Sequence, residues 1–126
     1  MKKIGLVITE KDGNQRHAEF TDHIVIGRHS RKSTADIKIK DDDMSSVHLK
    51  IYQEEDGKVY IKDLESKNGT NLNKSLVRDS RLFVNDEIIV GNTKISIDRS
   101  SISLVQKATI GIRTTGDNPN DLTLMS

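Results

Sequence analysis

The chain has no cysteine and no tryptophan, a single proline, and aromatic residues at only 3% of its 126 positions. Each shortage excludes something. Without cysteine there is no disulfide framework and no thiolate metal site, so a chain of this length must rely on an ordinary core. The same lack fits a reducing compartment. So few aromatics leave almost no platforms on which single-stranded nucleic acid would stack. A formal net charge of +1 gives no general attraction to polyanions. Long apolar runs are missing too. The opening stretch from Met1 breaks at Thr9-Glu10-Lys11-Asp12, too soon for a signal peptide and far too soon to span a membrane. It is read as an edge strand of a cytoplasmic protein that engages neither nucleic acid nor membrane.

What is present is period two. Hydrophobic residues make up 33% of the chain and charged residues 31%, so order has to be argued from pattern and not from composition. Residues 4–9 and 15–20 flank Asp12-Gly13 and read as a hairpin. Residues 23–26 form a short strand ending at Gly27, and 28–35 is a polar loop. Alternation returns at 36–39, at 47–52, and at 58–62 beyond Asp56-Gly57. It returns again at 71–73, 81–83 and 87–90, and at 93–97 across Gly91-Asn92. No segment keeps a helical period. About ten short strands at close spacing argue an all-β fold, an antiparallel β-sandwich. Residues 1–98 are expected to form the folded body. Residues 99–126 are expected to be an appended tail, carrying one extra strand or flexible throughout.

Two stretches concentrate small hydroxyl and amide side chains beside strands: Asp43-Met44-Ser45-Ser46-Val47-His48 and Asp63-Leu64-Glu65-Ser66-Lys67-Asn68-Gly69-Thr70. Gly27-Arg28 closes a strand upstream of both. Loops at one end of a sandwich would gather Arg28, Ser45 and Asn68 and offer a guanidinium, a hydroxyl and an amide, the donors that a phosphoryl group on a peptide requires.

Four blocks in register, Ile26-Gly27-Arg28, Ser45-Ser46-Val47-His48, Asn68-Gly69-Thr70 with Asn71-Leu72-Asn73, and Leu82 through Asn85-Asp86-Glu87-Ile88 to Gly91, resemble a forkhead-associated (FHA) domain, a phosphothreonine-peptide reader. The resemblance spans residues 24–97. It implies an eleven-strand sandwich with ligand-binding loops at one end, no cofactor, no metal and no catalysis. By the same resemblance Arg28 and Ser45 hold the phosphate, with Lys67 touching it from the neighbouring loop. Asn68 holds the ligand main chain, Asn71 faces residues beyond the phosphothreonine, and Gly27, His48 and Gly69 support the loops. The chain departs from the pattern at Ser46, where many members carry arginine or asparagine; its hydroxyl or Lys67 would take that phosphate contact. The implied partner is a phosphothreonine protein, the substrate of a Ser/Thr kinase, in signalling or scaffolding.

The same residues admit other readings. Ser45, His48 and Asp63 lack the strand–turn–helix elbow and oxyanion hole of a hydrolase. Asp41-Asp42-Asp43 lacks the glycine and terminal glutamate of a calcium loop and is read as a solvated run. The alternative function is a phosphate-independent interaction module using the same loops or a sheet edge. In the tail, Thr114 with Asp117 three positions on has a spacing that some FHA domains favour in their ligands, so a phosphorylated Thr114 is a candidate for self-association between chains.

Overall fold

Strands with apolar residues at alternate positions have one face to hide, and eleven of them do so here in two packed sheets. The computed structural model describes residues 1–114. Its strands are β1 (Ile4–Thr9), β2 (Gln15–Phe20), β3 (His23–Arg28), β4 (Ile37–Ile39), β5 (Leu49–Gln53), β6 (Val59–Asp63), β7 (Thr70–Leu72), β8 (Ser75–Val77), β9 (Asp79–Leu82), β10 (Ile88–Val90) and β11 (Thr93–Ile97). One sheet has the order β2-β1-β11-β10-β7-β8, the other β4-β3-β5-β6-β9. Between them lies an aliphatic core that includes Ile4, Leu6, Ile26, Leu49, Ile51, Ile61, Leu82, Ile88 and Ile95. The two tyrosines are on the outer face, where Tyr52 and Tyr60 stack at 5.5 Å between ring centroids.

The hairpins expected at Asp12-Gly13, Asp56-Gly57 and Gly91-Asn92 all form. Several details differ from the sequence reading. β1 is not an edge strand: it lies between β2 and β11, with Ile4, Gly5 and Leu6 all buried. β4 pairs with β3 in parallel, because the chain doubles back through residues 29–36 before re-entering the sheet. β8 was unforeseen; Asn73 and Lys74, with φ of 49° and 73°, make the tight turn that returns the chain along β7. Asp41 is not solvated. It is buried and accepts hydrogen bonds from the backbone N–H of Asn92 at 2.7 Å and from Thr93 Oγ1 at 2.8 Å, pinning the β10–β11 turn. Burial pushes its carboxyl up, but the hydrogen bonds from Thr93, Asn92 and Asp43 outweigh that and leave it below the usual range.

The largest difference is beyond Asp98. In place of an extra strand there is a 3-10 turn (Arg99–Ser101) and one short helix, α1 (Leu104–Ile110). Ser103 and Gln106 form a reciprocal capping box at its start, and Ile102 and Ile110 enter the core cluster. After the helix, the guanidiniums of Arg81 and Arg113 each lie 4.6 Å from the centre of the Phe83 ring. Arg113 also bonds the buried Asp86 at 2.7 Å. The folded body therefore continues through Arg113, not only to residue 98.

Candidate functional site

Three connections converge at one end of the sandwich: β3 to β4, β4 to β5, and β6 to β7. Gly27 makes the convergence possible. The β4–β5 connection passes so close to β3 that a Cβ on Gly27 would lie 2.0 Å from the Ser46 carbonyl oxygen and 3.1 Å from Val47 Cα. With no side chain in the way, Arg28 N–H donates to the Ser45 carbonyl at 2.8 Å and His48 N–H to the Ile26 carbonyl at 3.0 Å. The strand and the loop are thus locked in register around Arg28.

His48 ties the second connection to the third. It is fully buried; its Nδ1 accepts the Ser45 backbone N–H at 3.0 Å, and its Nε2 meets the Gly69 carbonyl at 2.8 Å. A backbone N–H can only donate and a carbonyl can only accept, so the ring is the Nε2–H tautomer. Both nitrogens are occupied by backbone. His48 consequently does not address the Ser45 hydroxyl, and the Ser45, His48, Asp63 grouping is not a catalytic triad.

Asp63 organises the third connection from beneath. It accepts from Ser66 Oγ at 2.5 Å, Ser66 N–H at 3.0 Å and Thr70 Oγ1 at 2.7 Å. Burial acts to raise its pKa, but these hydrogen bonds prevail and hold the carboxyl below its ordinary range. Ser66 Oγ in turn accepts the Gly69 N–H at 3.0 Å. At Gly69 φ is +84°, and a Cβ there would strike Leu76 at 2.5 Å. Asp63, Ser66 and Thr70 were not singled out as site residues, although all three stand in the stretch that sequence reading marked.

On this frame the donors face outward. Ser45 Oγ accepts the Lys67 N–H at 3.0 Å, which leaves its own proton to donate. Ser46 Oγ is 3.1 Å from Ser30 Oγ and 3.5 Å from Arg28 Nη2. Arg28 is half-buried, its Nε has no hydrogen-bond partner, and no carboxylate among the described residues pairs with it. An unpaired, half-desolvated guanidinium beside the Ser46 hydroxyl is a place for an anion. Asn68 is exposed, and its Nδ2 donates to the Asp43 carbonyl at 2.9 Å, bridging the two connections. Next to it runs a groove of about 520 Å³ lined by Asp63, Glu65–Gly69 and 76–78. Of the expected site residues, Arg28, Ser45, Ser46, Lys67 and Asn68 are brought together over Gly27, His48 and Gly69. Asn71 is not: it sits on β7 opposite Leu76 and Ile89, outside the residues that line the groove.

The FHA domain family model matches residues 24–91, more than half of the chain and all of the converging loops. The chain belongs to the FHA domain family. Solved FHA domains share its fold. That of the CT664 protein from Chlamydia trachomatis is 26% identical, covers 76% of this chain and 96% of its own, and superposes with a TM-score of 0.65. A second, from a structural and functional analysis of phosphothreonine-dependent FHA domain interactions, is 25% identical over 76% of this chain and 95% of its own, with a TM-score of 0.63. The FhaA FHA domain, solved in complex with the intracellular domain of Rv3910, is 25% identical over 75% of this chain and 99% of its own, at 0.62. No curated protein matches the chain as a relative. FHA domains are phosphothreonine-binding interaction modules, and among the described residues no helix of this one is long and apolar enough to cross a membrane.

The role of His48 in this FHA domain is checkable. His48→Ala orphans the Ser45 N–H and the Gly69 carbonyl, at about 1–3 kcal/mol each. We expect the melting temperature to fall by about 10 °C or more and phosphopeptide affinity to fall with it. Lost affinity on an unchanged melting curve would show that His48 touches ligand and does not brace the loops.

Proposed function

We propose that this chain is a phosphothreonine-dependent binding module and not an enzyme. The observation that carries the reading is Arg28: half-buried, without a carboxylate partner, its Nη2 3.5 Å from the Ser46 hydroxyl and its backbone N–H bonded to the Ser45 carbonyl. The phosphate accepts from Arg28, Ser45 and Ser46, with Lys67 supplying a mobile charge at the rim. Three such bonds at roughly 1.5–3 kcal/mol each are offset by association costs of similar size. The surplus comes from Asn68 on the peptide main chain and from side chains laid in the adjoining groove over Leu76, giving affinity near micromolar. Asn71, outside the groove, tunes the ligand's downstream residues only through β7. The partner is a kinase-phosphorylated protein in a cytoplasmic signalling or scaffolding assembly.

The charge on the phosphate supplies the test. Its second pKa is about 6, so the dianion fades below that value, and affinity for a phosphothreonine peptide should drop as pH falls from about 7.5 to about 5.5. Flat affinity across that range would favour the phosphate-independent alternative.

Self-association through Thr114 belongs to the same reading. Because residues 99–113 fold back on the body and Arg113 is held by Asp86, a flexible arm starting at Asp98 is not what presents Thr114. A second chain would bind it instead. Asp117 lies outside the described residues. A synthetic peptide of residues 110–122 phosphorylated at Thr114 should bind the protein better than its unphosphorylated twin and lose affinity on Asp117→Ala; equal binding of the twins removes the idea.

A further inference from the structure

The β3–β4 connection does more than follow Arg28. Ser33 N–H donates to the Ser30 carbonyl at 3.2 Å, closing a β-turn with Arg31 and Lys32 at its two central positions. Both ends of that turn are fastened to the anion site. Ser30 Oγ is 3.1 Å from Ser46 Oγ, and the buried Ser33 donates its hydroxyl to the Ser46 carbonyl at 2.7 Å. His29 N–H, one residue earlier, donates to the Ile39 carbonyl at 2.8 Å. Arg31 and Lys32 therefore stand at the tip of a fixed turn one hydrogen bond from Ser46. Both are exposed, and neither has a hydrogen bond or ion pair.

The other edges of the site carry mixed charge, with Lys67 and Arg78 exposed among the residues that line the groove. Asp42 and Asp43 are exposed on the β4–β5 connection, with the Asp43 carbonyl bonded to Asn68, and Glu65 is exposed on the β6–β7 connection beside the groove. A peptide lying across the loops thus meets two unpaired cations at the 30–33 turn, which no carboxylate among the described residues neutralises. A solvated basic loop would need no attachment at either end. Here two serines hold the cations against the residue that contacts the anion.

Resting on the phosphothreonine reading above, we propose that the turn at 30–33 is an acid-selecting subsite. Arg31 and Lys32 recognise aspartate or glutamate side chains on one flank of the phosphothreonine. Selection of this kind works through encounter rate and specificity and is weakened by salt.

Three phosphothreonine peptides with a common alanine-rich frame test it: one neutral, one with two aspartates before the phosphothreonine, one with two after. Each is titrated by fluorescence anisotropy against the whole chain, with unphosphorylated versions alongside. One acidic peptide, and only one, should bind roughly three- to tenfold tighter than the neutral peptide, with the gain shrinking in about 0.5 M salt. Arg31→Ala/Lys32→Ala should erase the gain and leave the neutral phosphopeptide unaffected. Arg31→Glu/Lys32→Glu should make the acidic peptide the weaker one, with melting temperatures unchanged throughout. If the phosphopeptides bind but acid on either flank adds nothing, or the gain survives in the variants, the subsite is wrong and the phosphothreonine reading stands. If phosphorylated and unphosphorylated peptides bind alike, both fall together.

Discussion

Arg28→Ala is expected to abolish phosphothreonine-peptide binding while leaving the melting temperature within about 1–2 °C of the parent. The two halves of that expectation have separate causes. Arg28 fixes the register of β3 through its backbone, whose N–H bonds the Ser45 carbonyl and is untouched by the substitution. Its side chain has no ion pair in the free protein and only a 3.5 Å contact to Ser46, so little native structure is lost with it. The bound phosphate loses its only half-desolvated cation, an effect of order 2–5 kcal/mol. Arg28→Lys should rescue poorly, because one ammonium does not reproduce a planar fork facing several oxygens. Calorimetric titration and thermal melts of the three proteins read both halves. Retained affinity in Arg28→Ala would remove the anion site.

Gly27→Ala, adjacent in sequence, should do the reverse and damage the fold first. A methyl 2.0 Å from the Ser46 carbonyl oxygen has nowhere to go. The obstacle is backbone, and that backbone is held by Ser33 at 2.7 Å and by Arg28 N–H at 2.8 Å. Overpacking of this kind costs about 1–3 kcal/mol or more, and the relief available is to push Ser45 and Ser46 away from Arg28. We expect a drop of at least about 10 °C in melting temperature together with loss of phosphopeptide binding. Gly13→Ala is the matched control: its φ is +87° but nothing lies within 4 Å, so it should pay only the backbone penalty of about 1–2 kcal/mol and bind normally.

How much of this was legible in the sequence depended on the range of the interaction. Strands with strict alternation, such as β5 with Leu49 and Ile51 inward and Lys50 and Tyr52 outward, announce themselves because burial of one face is local. The tight hairpins did too, since Asp-Gly and Gly-Asn state their backbone geometry in two residues. α1 did not, because seven residues are too few to display a helical period, and Ile102, Leu104 and Ile110 mimic alternation; the Ser103–Gln106 capping box was the signal available. The burial of Asp41 was hidden in an acidic run, since its partners Asn92 and Thr93 are some fifty positions away. At the site, hydroxyls and amides in two short stretches pointed to Ser45 and Asn68, and the strand end at Gly27-Arg28 pointed to Arg28. The bracing beneath them could not be read. Asp63 bonding Ser66 and Thr70, or Ser33 bonding Ser46, follows from how the loops cross, and a loop crossing leaves no period behind.

Binding is expected to depend on the phosphate. That dependence is tested most directly by titrating the whole chain with two synthetic peptides, drawn from a phosphothreonine-oriented library screen, that differ only in the phosphoryl group on the threonine. The phosphorylated peptide should bind near micromolar, the other at least about a hundredfold more weakly, and Arg28→Ala should not distinguish them. Equal affinity of the parent protein for both peptides would contradict that dependence.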